Sequence, residues 1–254
     1  SNGDVNSTQY FSAQHVDQTG TTPGDKYNRT NVRLNGTRKI GKTININYST
    51  SYTQNRYDIT TATGSMYDQM LNMPMNIDIT RYKDWQNDKF ANPNGFYNPW
   101  YQNPYWTAAN YRQTNRNDYL TANVEVKFTP VKGLDFVFRQ GISTRNQSNK
   151  NSNTGFTYTY YAKHTDASAK SDIPYSVSDV MSYSTNLLTD FFTQYKRSIK
   201  DFTLNVIVGG QWNQNQSKNI GVSGNGLVVP DLFNVSNGVG TPGASESNFM
   251  SRTM

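Results

Sequence analysis

The sequence contains no cysteine, which removes disulfides and thiolate metal sites and suits an exported chain that avoids thiols. It is also poor in apolar residues. Only 34% of its 254 residues are hydrophobic and its mean hydropathy is -0.79, whereas a soluble domain of this length approaches half apolar composition. Either much of the chain is disordered, or its strands are amphipathic without a packed apolar interior. No run comes near the roughly 18 apolar residues of a membrane-spanning helix, and the longest apolar stretches, such as residues 206–208, lie inside strand-like segments. Helical spanning is therefore excluded.

Other parts are missing too. The two histidines, His15 and His164, are far apart in sequence and neither has a partner at metal-ligand spacing, so no metal site is expected. Carboxylates are scattered without the paired context of glycoside hydrolysis, and no serine sits in a nucleophile elbow. No catalytic residue and no cofactor are expected, and the chain reads as a non-enzyme. The segment 166–172, DASAKSD, does not match a calcium loop, although calcium in outer loops stays open. The net charge of +6 is spread along the chain without a Lys/Arg stripe, which describes a mildly basic solvated surface and no nucleic-acid footprint. Ser1 begins within a strand-like pattern, so a processed or excised chain is expected.

Aromatic residues are abundant: Tyr 18, Phe 12 and Trp 4 make up 13%, which argues against disorder. Tyrosine offers an apolar ring and a hydroxyl tip, suited to membrane interfaces and carbohydrate surfaces alike.

Residues 117–144 organise the reading. Leu120, Ala122, Val124, Val126 and Phe128 alternate with Thr121, Asn123, Glu125 and Lys127; after a turn with Pro130 and Gly133, Leu134, Phe136, Phe138 and Ile142 oppose Asp135, Val137, Arg139 and Gly141. That is the period-2 pattern of a β-hairpin between two environments. A soluble sheet buries such an apolar face, whereas a membrane barrel turns it to lipid and keeps charged and amide side chains on a wet lumen. Similar alternation predicts strands near 8–17, 27–36, 43–54, 117–129, 133–145, 185–197 and 201–214. In the arm 185–197, Leu187, Leu188, Phe191 and Phe192 put apolar residues on both faces.

Between these strands, connections are medium, short, long, short, long and short, and the chain is then Gly/Asn/Ser-rich after Gln214. The longest, 54–116, carries Pro74, Pro93, Pro99 and Pro104, with one short helical piece expected within 66–75. A connection this long is unusual inside a compact soluble domain but normal for the outer loops of a barrel. Short turns at one end and long loops at the other favour an outer-membrane barrel over a β-sandwich. The fold class is thus all-β: a partial antiparallel transmembrane barrel of about seven strands with long extracellular loops. One barrel segment is expected over 1–254, continuing at both ends, with no recognisable plug and with residues 247–254 not forming a terminal barrel strand. A secreted carbohydrate-binding β-sandwich is the alternative, and a β-solenoid polysaccharide lyase comes third.

Three stretches, residues 10–53, 103–144 and 226–237, resemble the SusC/RagA family of TonB-dependent outer-membrane transporters of Bacteroidetes. The resemblance implies a segment of a 22-stranded barrel and an importer of oligosaccharides or peptides. It also implies a SusD-like lipoprotein lid as partner, and a TonB complex engaged through an N-terminal part outside this chain. The aromatic tract 96–111 supplies Tyr97, Trp100, Tyr101, Tyr105 and Trp106 as rings that would either contact solute or lid or fold the loop upon itself; Trp85 carries the same ambiguity. Asn123, Glu125, Lys127, Asp135 and Arg139 are expected to face the lumen. Val124, Val126, Phe136, Phe138, Leu204 and Val206 are expected to face lipid.

Overall fold

The structure, a computed structural model, describes residues 2–98, 100–164 and 170–254; Pro99 and the first part of the 166–172 segment, including Asp166, lie outside the described residues. Nine strands follow one another: β1 (Asn2–Gly3), β2 (Ser7–Thr19), β3 (Lys26–Ile40), β4 (Ile44–Thr60), β5 (Tyr111–Val131), β6 (Leu134–Asn153), β7 (Ser176–Ile199), β8 (Phe202–Asn225) and β9 (Gly243–Thr253). Each pairs antiparallel with its sequence neighbours in one sheet of order β1 to β9. Among the described residues no ladder joins β1 to β9, so the sheet is open. Among the described residues it is also a single layer, without the second packed sheet of a sandwich and without the parallel pairing of a solenoid.

The predicted strands are all present, and one more is found. Apart from the two-residue β1, there are eight strands rather than about seven, because residues 243–253 form β9 against the upper part of β8. Its sequence, GASESNFMSRT, has no apolar face to announce it. The strands are also longer than predicted, and mostly in one direction: β4 runs on to Thr60, β5 starts at Tyr111, β6 runs on to Asn153, β7 starts at Ser176 and β8 runs on to Asn225. These extensions all lie at the long-loop end.

The short turns are set locally. Gly133 has φ 89°, and a Cβ there would fall 2.3 Å from the Lys196 carbonyl oxygen, so conformation and space both require glycine. Pro130, which has no N–H to donate, sits where the β5–β6 register shifts between Phe128 and Val131, the place for a bulge. Successive hairpins are offset in a constant direction. Ile44 pairs with Phe128 while β5 continues to Val131, and Leu134 pairs with Tyr195 while β7 continues to Ile199. A stagger of constant sign is the shear that accompanies tilted strands in a barrel wall.

The ladders sort the side chains onto two faces. Cross-strand partners share a face, so Ile44, Phe128, Phe136, Thr193 and Val208 form one row, and Ile46, Val126, Phe138 and Phe191 the next. Above them run Tyr48, Val124, Gln140, Thr189 and Trp212, then Phe11, Leu34, Thr50, Ala122, Ile142 and Leu187. This band is exposed: Phe191 is 53%, Leu204 52% and Val208 69% accessible. The sheet therefore carries its apolar face outward, where a soluble domain would bury it.

Most of the buried side chains lie in the long connections, although Thr60, Asn115, Asn117, Val137 and Val177 are buried on the strands themselves. The 61–110 connection holds α1 (Thr63–Leu71), a 3-10 turn over Ile79–Tyr82 and α2 (Pro104–Asn110); α3 (Tyr160–His164) lies in the 154–175 connection. The helical piece expected within 66–75 is displaced towards the N-terminus: α1 starts at Thr63 and ends at Leu71, and its Met66 packs with Ala62 and Ala108. At α2, Asn103 accepts from the Tyr105 N–H and Pro104 fills the first turn, a capped start where proline loses no bond. The amide of Asn103 donates to the Tyr82 and Ala91 carbonyls at 2.6 and 2.7 Å, closing the loop on itself.

Candidate functional site

The face opposite the apolar band is polar, and Asn123, Glu125, Lys127, Asp135 and Arg139 all lie on it. Their partners are specific. Arg139 Nε donates to Glu125 Oε2 at 2.5 Å, and Asn47 Nδ2 donates to Glu125 Oε1 at 3.1 Å. Lys127 Nζ lies 2.8 Å from Asp135 Oδ2, whose other oxygen accepts from Thr129 Oγ1 at 2.5 Å. Asn123, Glu125 and Arg139 share a depression of about 360 Å³ with Asn47, Ser49 and Asp190. Asp190 stands opposite Arg139 in the ladder and accepts from Gln211 Nε2 at 2.9 Å.

Asn47, Ser49, Asp190 and Gln211 were not singled out from the sequence. Parity alone would have found them: Asn47 alternates with Ile46 and Tyr48, and Asp190 precedes the apolar-face Phe191. The ambiguous arm is resolved the same way. Leu187 and Phe191 belong to the apolar face, while Leu188 and Phe192 belong to the polar one. Phe192 fits there because its partner is Gly209, where a Cβ would approach within 2.4 Å of the Phe192 Cβ. Its ring lies 5.0 Å from the Arg139 guanidinium carbon, so this apolar side chain still has a cationic contact.

The aromatic tract divides by burial. Trp106 is 2% exposed and meets Tyr111 and Phe156 edge-on at 5.5 and 6.1 Å; it holds the two long connections together and presents no face to a solute or a partner. The connections are further joined by the Thr154 N–H on the Asn110 carbonyl, the Thr159 N–H on Asn94 Oδ1 and Lys170 Nζ on the Pro93 carbonyl. Tyr97 packs against Tyr82 and Phe96, and burial pushes its hydroxyl pKa upward. Trp100 is 71% exposed. Tyr101 and Trp85 are half-buried. Tyr105 lines a cleft with Pro23, Met66, Met70 and Ile79. The histidines stay apart: His15 is 3.0 Å from Thr30 Oγ1, and His164 stacks on Tyr160.

No family model matches this chain and no curated protein matches it. Solved structures do. Structures of the RagAB peptide importer in its closed-closed and open-open states, and one of the RagAB peptide transporter, superpose with a TM-score of 0.67 at 16 to 17% identity. The match covers 98% of this chain but only 27 to 28% of theirs. At that identity the likeness is one of fold. It extends over nearly all of this chain, which spans little more than a quarter of the length of the chains it matches.

Proposed function

We propose that this chain is one stretch of the wall of a larger outer-membrane β-barrel, and that the whole protein is a TonB-dependent importer. The observation that carries the reading is the exposed apolar band on one face of a uniformly staggered open sheet, backed by a charged and amide face. Lipid accounts for the first face and a wet lumen or an enclosed domain for the second. An open sheet in hydrocarbon would leave two rows of backbone N–H and C=O groups unpaired, each costing several kcal/mol, so further strands close it. The fold shared with importers, and the capped long loops at one end, support the same reading. On it those loops face the exterior.

The solute is an oligosaccharide or a peptide. The second is favoured by the RagAB importer's own substrate class, the first by the exposed Trp100 and half-buried Tyr105 beside amides. A SusD-like lipoprotein would sit over the loop end, and the TonB complex would act through parts outside this chain. The intact protein carrying this chain should sediment with outer membranes, require detergent, and lose uptake of its solute when TonB coupling is removed. A detergent-free soluble monomer would overturn the barrel reading. Uptake unaffected by loss of TonB would overturn the energised-importer reading alone.

A further inference from the structure

The apolar face does not stop at the last apolar row. Past Tyr52 and Leu120 the same face of the same strands carries Gln54, Asp118 and Asn146, and then Asn28, Arg56, Arg116 and Ser148 as direct ladder partners. Arg56 and Arg116 thus stand opposite each other, a like-charge cross-strand pair that a sheet ordinarily avoids. Lys26 flanks them one row further on, opposite Asp58, and Lys150 stands opposite Asp179. These side chains line a depression of about 440 Å³.

The acids nearby are committed. Asp58 is held by Arg112 at 2.7 Å, and Asp118 accepts from Tyr52, Gln54 and Arg116 at 2.5, 2.7 and 2.8 Å. Lys150 and Asp179 lie 3.5 Å apart. Asp17 lies on this face two strands from Arg56, on the far side of Asn28. Arg56 is exposed and no acid pairs with it among the described residues.

We propose that this depression binds the phosphate group of a membrane lipid headgroup, with Arg56 and Arg116 as its ligands and Lys26 and Lys150 at its rim. The inference rests on the membrane placement proposed above. Its height fits. Four residues separate Tyr52 from Arg56 and Leu120 from Arg116, about 13 Å along a strand or about 10 Å above the band once the strands tilt by roughly 40°. Long arginine stems bridge the remaining distance down to the headgroup layer. The source is a lipid because the site lies on the lipid-facing side of the sheet, continuous with the apolar band. The fork of Arg56 suits phosphate oxygens, and Arg116, whose Nε and Nη2 donate to Asp118, adds its Nη1 and its share of charge.

The test uses the intact protein in neutral detergent micelles, with phosphatidic acid added at increasing mole fraction and bound lipid counted by native mass spectrometry. Arg56→Gln together with Arg116→Gln should lower bound phosphatidic acid at least fivefold, while Lys132→Gln, in the turn at the opposite end, should leave it unchanged. Inorganic phosphate should not compete. Equal lipid binding in the double variant overturns the inference, and so does competition by inorganic phosphate, which marks a free-anion site. If the double variant fails to insert, Arg56→Gln alone decides, since that side chain holds no partner acid. A wild-type protein that stays monomeric without detergent defeats the membrane reading itself; detergent dependence with unaltered lipid binding defeats only the lipid site.

Discussion

Thr189 Oγ1 donates to Gln140 Oε1 at 2.8 Å in the middle of the apolar band, and Gln140 Nε2 donates to the Leu188 carbonyl at 3.0 Å. Two polar side chains on a row of the apolar face are thereby satisfied by each other and by backbone. Thr189→Val leaves the glutamine oxygen unmet and should cost about 1 to 3 kcal/mol, whereas Thr189→Val with Gln140→Leu should recover most of it. Reversible urea unfolding in lipid vesicles measures the cycle. Additive costs in the double variant would show that the pair is solvated.

The two faces should differ sharply in tolerance. Arginine at Val124 or Val206 should cost about 2 to 4 kcal/mol, because it places a charge in hydrocarbon, while arginine at Asn123, beside Glu125, should cost little. The same unfolding assay reads both. Equal tolerance would remove lipid from the apolar band.

In the aromatic tract, burial separates two roles. Trp106→Ala empties a buried site and should cost about 3 to 5 kcal/mol of loop stability, seen as faster proteolysis of both long connections with the strands of the sheet still protected. Trp100→Ala should leave the loops resistant and lower solute uptake or lid association. If uptake and association are unchanged, Trp100 is only an exposed ring.

Asp172 accepts from Lys163 Nζ at 2.6 Å and from the Tyr158 N–H at 2.7 Å. The lysine first, and then the backbone donor, hold its carboxyl below the usual range. A lowered native pKa means that the contribution is complete above the unfolded value of about 3.9 and disappears as pH falls through the native one. Hydrogen exchange over 154–164 should be faster in Asp172→Asn than in the wild type at pH 7, and the difference should shrink as pH falls below the usual carboxylate range. A difference that does not change with falling pH would assign the effect to something other than the carboxylate.

The sequence was legible where one face of a strand is apolar and the other polar. The alternation Val124, Val126, Phe128 and Phe202, Leu204, Val206 announced strands and faces, and the predicted ends near 54, 117, 145, 185 and 214 mark where that alternation stops. Past those points, in stretches such as 146–153 and 213–219, both faces are wet, no period survives, and only the hydrogen-bond ladder keeps the strand. For the same reason β9 was missed. The polar-face residues, Asn47 and Asp190 among them, were readable from parity, but that Asn47 stands opposite Glu125 and Asp190 opposite Arg139 needed the register between hairpins, which no local pattern carries. Burial of Trp106 and exposure of Trp100, six residues apart in one tract, depend on how two distant connections meet and left no mark in composition.

Strands β7 and β8 have 24 residues each, about 80 Å of chain against an apolar band of about 25 Å. The remainder forms a palisade wet on both sides and stiffened by its ladders. On the barrel reading proposed above, lipid would not test the side chains of this rim, so Asn, Ser, Thr and Gln could exchange there without weakening insertion. Anything approaching the protein from the loop end would then meet a firm but chemically changeable parapet before the span that anchors it.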